Sequence, residues 1–113
     1  MQANNEELLN LAIRAAKSGN KEGARVMLRQ VHSRDRRNVT AMLWLAKIAR
    51  STSERTQWLE RVLQSDPGNS TAQKTLERIY YQKQSVENRQ LLLFSIVALF
   101  MIVMVVLMFV IVS

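Results

Sequence analysis

Few side chains in this sequence are equipped for chemistry. His32 is the one histidine and cysteine is absent, which excludes thiol nucleophiles, disulfides and Cys-based metal centres. His32 lies near Arg29, Arg34, Arg36 and Arg37 at the end of a helical pattern, with no histidine partner or metal-ligand pair, and reads as a surface histidine. The neighbouring carboxylates Glu6 and Glu7 fit the acidic first turn of a helix, where the dipole favours them, better than a paired acid/base site. The three glycines, Gly19, Gly23 and Gly68, match neither a phosphate loop nor a dinucleotide fingerprint. No catalytic residue, metal, cofactor or small-molecule substrate is expected, and the chain reads as non-enzymatic.

The remaining chemistry is that of charge. Sixteen Lys and Arg against nine Asp and Glu leave a net charge of +7, and every one of these residues precedes Leu91. The cluster Arg29, Arg34, Arg36 and Arg37 suits anionic lipid headgroups, at about 1 kcal/mol per charge near a membrane surface, or acidic loops of a partner. Aromatic interleaving and a recognition-helix pattern are both missing, so nucleic acid is not the expected ligand.

What must position that charge is set by the last part of the chain. From Leu91 to Val112 the only residue outside the apolar set is Ser95, over 22 positions. As a helix this stretch is roughly 33 Å long, enough for a hydrocarbon core of about 30 Å. Only Ser113 follows it, so the expectation is a tail anchor with the N-terminal domain left on the side of synthesis. The polar start, Met1 to Glu7, has no secretory pattern, and Lys83 and Arg89 beside the span place the head in the cytoplasm by the positive-inside rule. The expected location is therefore the plasma (inner) membrane, single-pass, with the C-terminus on the far side. Within the span Phe94, Val97, Met101, Met104 and Met108 recur at intervals of three and four, a stripe suited to packing against a neighbouring helix.

The head is repetitive. Val31 to Leu45 reads VHSRDRRNVTAMLWL and Val62 to Leu76 reads VLQSDPGNSTAQKTL, sharing D-x-x-N-x-T-A-x-x-x-L at a spacing of 31 residues. An earlier copy starts near Asn5, followed by Leu8, Leu11, Ala12 and Ala15. Periods of this length indicate stacked helical hairpins. Capping side chains at Asn5, Asn20, Asn38, Ser53 and Asn69 predict helices near 5–17, 21–33, 39–50, 54–65 and 70–84. Breaks fall at Ser18-Gly19, Arg34 to Arg37, Ser51 to Ser53 and Asp66-Pro67-Gly68. With no Gly or Pro after Gly68, the fifth helix can run on into the span with at most a kink near Gln84 to Asn88. The predicted organisation is a helical domain over 1–84, a connector over 85–90 and a transmembrane helix over 91–113.

These residues resemble the tetratricopeptide repeat (TPR) family. Leu8, Leu11, Ala12, Ala15, Ala24, Leu28 and Val31 fall at the motif spacings of a first repeat, with Arg36 where proline is usual. Leu59, Val62 and Pro67 fit a second, in which Arg55 replaces the helix B alanine and the hairpin turn is about two residues short. The resemblance implies an all-α stack of about two and a half repeats, acting as a binding scaffold through a groove on the A helices. The matching groove positions are Leu9, Ile13, Ala16, Met42, Ala46 and Ala49, too apolar for a carboxylate clamp but suited to an amphipathic helix or a neighbouring subunit. The expected role is a non-catalytic accessory subunit of a multi-subunit bacterial membrane complex, respiratory or photosynthetic. Its partners would be integral membrane subunits and membrane lipids. A stand-alone tail-anchored adaptor and a transient assembly factor are the alternatives.

Overall fold

The computed structural model describes residues 4–113, and it is all-α: α1 (Asn5–Lys17), α2 (Lys21–Arg34), α3 (Val39–Lys47), α4 (Thr52–Ser65) and α5 (Ser70–Val112). The chain forms two compact units, one ending at Ile79 and the other running from Tyr80 to Ser113.

In the first unit the helices pair as α1 with α2 and α3 with α4. The core follows the sequence repeat position by position. Leu28 and Leu59, Val31 and Val62, Ala41 and Ala72, and Leu45 and Leu76 are all buried. Each large aliphatic side chain so placed contributes about 1.5–3 kcal/mol relative to exposure, and the alanines let helices approach closely. Leu11, in contrast, is 48% exposed.

The D-x-x-N segment is the same turn twice. Asp35 and Asp66 end α2 and α4, donating their N–H groups to Val31 O and Val62 O at 3.0 and 2.7 Å. Three residues later Asn38 and Asn69 donate N–H back to Asp35 O and Asp66 O, at 3.1 and 3.0 Å. Their side-chain oxygens then accept from Ala41 N–H and Ala72 N–H at 3.0 and 2.9 Å, capping α3 and α5. One motif therefore stops a helix, reverses the chain and starts the next.

Two expected caps shift by one or two residues. Asn4, rather than Asn5, accepts from Glu7 N–H at 2.8 Å, which frees Asn5 to reach Val31 O from inside α1 at 3.4 Å. Asn38 thus follows its counterpart by 34 residues. Ser51, rather than Ser53, accepts from Glu54 N–H at 3.1 Å and starts α4.

The third helix also ends earlier than expected, at Lys47 rather than near residue 50. Its last carbonyls are taken by cations from neighbouring helices. Arg25, 5% exposed, donates Nη2 to Ile48 O at 2.6 Å, and Arg55 donates Nε to Ala46 O at 3.1 Å. Guanidinium groups at a helix C-terminus satisfy orphan carbonyls and oppose the negative end of the dipole. This bond is the local role of Arg55.

The fifth helix opens in the first unit, where Ala72 and Leu76 are buried. Helical hydrogen bonding continues without interruption to Val112, so the expected connector over 85–90 is itself helical.

Candidate functional site

Three surface features have the make-up of a site: a cavity walled by α3, α4 and the start of α5, a basic and aromatic trough between α2 and α4, and the apolar part of α5.

The cavity has a volume of about 530 Å³ and is open to solvent. Leu43, Trp44 and Leu59 provide its apolar wall, while Lys47, Arg55 and Arg78 carry the charge. Among the described residues, no carboxylate lines it. Lys47 Nζ lies 4.7 Å from the Trp44 ring centroid, a cation–π contact that holds both side chains at the rim. The early end of α3 shapes this opening, because Ala46 and Lys47 sit in its last turn and Arg55 crosses to it from α4. An apolar wall with converging cations accepts an amphipathic segment bearing acidic residues.

The groove expected from sequence is divided by the structure. Met42 and Ala46 are 1% and 3% exposed, so Met42 works chiefly as a core residue and Ala46 only touches the cavity. Leu9 and Ala16 are half-buried against the core, and Ile13 and Ala49 are half-buried as well. Trp44, Leu43 and the three cations of the cavity were not among the expected positions. Trp44 was legible as an apolar helix residue, but its outward share depends on where α3 stops.

The basic cluster is likewise reorganised. Arg29 approaches Glu54 of α4 at 3.9 Å. Arg36 joins His32 and Arg61 around a depression of about 330 Å³, and Arg34 and Arg37 are exposed. His32 is half-buried rather than fully on the surface, its ring meeting Trp58 edge-on at 5.0 Å and 88°. The Arg61 guanidinium lies 4.8 Å from the same Trp58 ring. Burial, then the positive charges of Arg61 and Arg36, hold His32 below its ordinary pKa, with Asp35 acting in the opposite direction. Trp58 and Arg61 were absent from the sequence expectation, although their i, i+3 spacing on α4 mirrors that of Arg29 and His32 on α2.

A second charged cluster ties α2 to the loop after α3. Glu22 accepts from Arg25 at 2.5 Å and pairs with Arg50. Arg50 first, and Arg25 second, lower its pKa to about 2.

In α5 every residue from Leu91 to Val112 is exposed in the isolated chain, the stripe Phe94, Val97, Met101, Met104 and Met108 included. This is a helix long and apolar enough to cross a membrane. The single hydroxyl between Leu91 and Val112, Ser95 Oγ, donates to Leu91 O at 2.9 Å, so this stretch carries no unsatisfied side-chain donor into an apolar phase.

Comparison with known protein families and with curated proteins finds no match for this chain. Among the described residues, no group of three or more His, Asp or Glu is placed to hold a metal ion.

Proposed function

We propose that this chain is a membrane-anchored, non-catalytic scaffold: an accessory subunit of a multi-subunit bacterial membrane complex, respiratory or photosynthetic. Its head is TPR-like and cytoplasmic. The observation that carries the reading is the apolar helix of 22 positions, exposed all round and joined in sequence to a small head with its own core. An exposed apolar surface of that extent is stable only in lipid or against other apolar helices. The head supports the same reading in two ways. Its caps at Asn4, Asn38 and Asn69 recur at intervals of 34 and 31 residues, a spacing suited to stacked helical hairpins, and its cation-rimmed cavity suits an acidic amphipathic segment of a partner subunit.

A tail-swap tests the role of the helix beyond anchoring. Replacing Leu91 to Val112 by polyleucine preserves insertion and leaves the head intact. For an accessory subunit the exchange weakens retention in the complex after mild-detergent extraction. Full retention shows instead that the head alone docks, as in an adaptor whose tail is only an anchor. A cavity variant, Trp44→Ala with Arg78→Glu, then reports on the head: loss of the partner in this variant assigns the contact to the cavity.

A further inference from the structure

The depression between the end of α2 and α4 has a wall of unusual chemistry. Arg36 and Arg61 contribute guanidinium groups, His32 an imidazole, Gln64 an amide and Ser65 a hydroxyl, with Met42 as the apolar floor. Each polar member is a hydrogen-bond donor or becomes one, and no carboxylate lines the depression. Two carboxylates adjoin the depression without lining it. Glu54 faces Arg29 in the adjoining depression, and Asp35 Oδ1 accepts from Arg37 N–H at 3.2 Å.

The orientation of the donors is set by packing. Trp58 is 8% exposed and fixed in the core. Arg61 lies over its ring and His32 meets it edge-on, so one buried aromatic side chain positions both cationic groups. In the absence of an anion these groups repel one another. Burial first, then the charges of Arg61 from α4 and Arg36 from the turn after α2, oppose protonation of His32 while Asp35 favours it, and Arg29 of α2 and Glu54 of α4 share the adjoining depression with it.

We infer that this depression is a binding site for a phosphate-bearing anion, held by Arg36 and Arg61 and by His32 as a third donor. Planar guanidinium groups match phosphate oxygens in bidentate fashion and form charge-assisted bonds, which a compact ammonium does less well. At about 330 Å³ the site takes a phosphate group and the start of its ester, not a helix. The inference rests on the head alone and stands apart from the identity of any protein partner. Two sources share this chemistry, an anionic lipid headgroup and a soluble phosphate. Binding draws a proton onto His32, because the anion offsets the charges of Arg36 and Arg61.

His32 is the one histidine, so its imidazole resonances are read without overlap. The full chain is placed in nanodiscs, and the pKa of His32 is followed by NMR at fixed ionic strength in two arms. In phosphatidylcholine discs inorganic phosphate is titrated against a chloride control. In discs containing phosphatidylglycerol no phosphate is added. A saturable rise of about one pH unit in the His32 pKa is expected in at least one arm, equivalent to about tenfold tighter binding to the protonated form. A rise in the first arm identifies soluble phosphate as a ligand, and a rise in the second identifies the headgroup. Arg36→Gln and Arg61→Gln abolish the rise, whereas Arg14→Gln, with the same loss of charge at an exposed position of α1, retains it. Arg36 lies in an exposed turn, so its variant keeps the core intact. No rise in either arm, or an equal rise in all three variants, overturns the inference, the latter showing general surface potential rather than a site.

Discussion

Arg25→Met isolates the contact that ends α3 early. Methionine keeps the aliphatic packing of a residue that is 5% exposed but removes the donor that reaches Ile48 O at 2.6 Å. A hydrogen bond from a charged group to a buried carbonyl is worth about 1.5–3 kcal/mol. The second contact of Arg25, to Glu22, adds little, since the Glu22 side chain is 68% exposed and screened by water. The expected loss is therefore about 2 kcal/mol, and for a head of this size about 8–16 °C in Tm. The assay is thermal unfolding of the full chain in nanodiscs, followed by near-UV circular dichroism of Trp44 and Trp58, both of which lie in the head. Arg50→Met is the control, because it breaks the exposed contact to Glu22 and leaves the bond to Ile48 O in place, and its Tm falls by less than that of Arg25→Met. The two variants also differ in their response to acid. Glu22 has its pKa lowered from 4.5 to about 2 by Arg50 and Arg25. The stability linked to it is present above pH 4.5 and is lost as the pH falls toward about 2. Arg50→Met, removing the larger cause, flattens that part of the profile. An Arg25→Met head that melts within 2 °C of the unaltered protein refutes the claim that this guanidinium caps α3.

Other outcomes follow from the same structure. Asn38→Ala and Asn69→Ala each remove one cap of nearly identical geometry, so each lowers stability by about 1 kcal/mol in denaturant unfolding, and the two losses match. Gly19 has φ +91° and Gly68 has no such constraint and open space around it; Gly19→Ala costs about 1 kcal/mol or more, while Gly68→Ala is neutral or stabilising by about 0.5 kcal/mol on the same scale. His32, depressed by burial and by Arg61 and Arg36, contributes stability that is present above pH 6.5 and is lost as the pH falls through its folded-state value, a dependence that His32→Gln abolishes in pH-resolved melts. Leu99→Arg, in the middle of the apolar run, opposes insertion by about 2.5–3.5 kcal/mol, read as a drop in the membrane-integrated fraction after alkaline extraction.

The fold was legible in the sequence where a residue acts through its own helix or turn. The pairs Asp35 and Asn38, and Asp66 and Asn69, form the turns their spacing predicts, and Leu28, Val31, Leu59 and Val62 occupy the core. Adjacent residues with equal capping ability were not separable in this way. Asn4 and Asn5, or Ser51 and Ser53, have much the same intrinsic preference, and the caps formed are Asn4 and Ser51. The end of α3 was hidden for a different reason: it depends on Arg25 and Arg55 reaching carbonyls 23 and nine residues away, and sequence reasoning places arginine on the surface by default. The same holds for the trough, where Arg36 from the turn after α2 and Arg61 from α4 come from separate repeats and line one depression. In α5 the uniform apolar composition that made the span obvious also left the stripe from Phe94 to Met108 no more or less exposed than its neighbours.

The central claim is that the chain belongs to a larger membrane assembly. Its most direct test is purification in mild detergent through an N-terminal tag, followed by native-size analysis and mass spectrometry of the purified material. An accessory subunit co-migrates with integral membrane subunits at a fixed stoichiometry that survives dilution. Elution of the chain by itself, or with soluble clients in variable amounts, contradicts it.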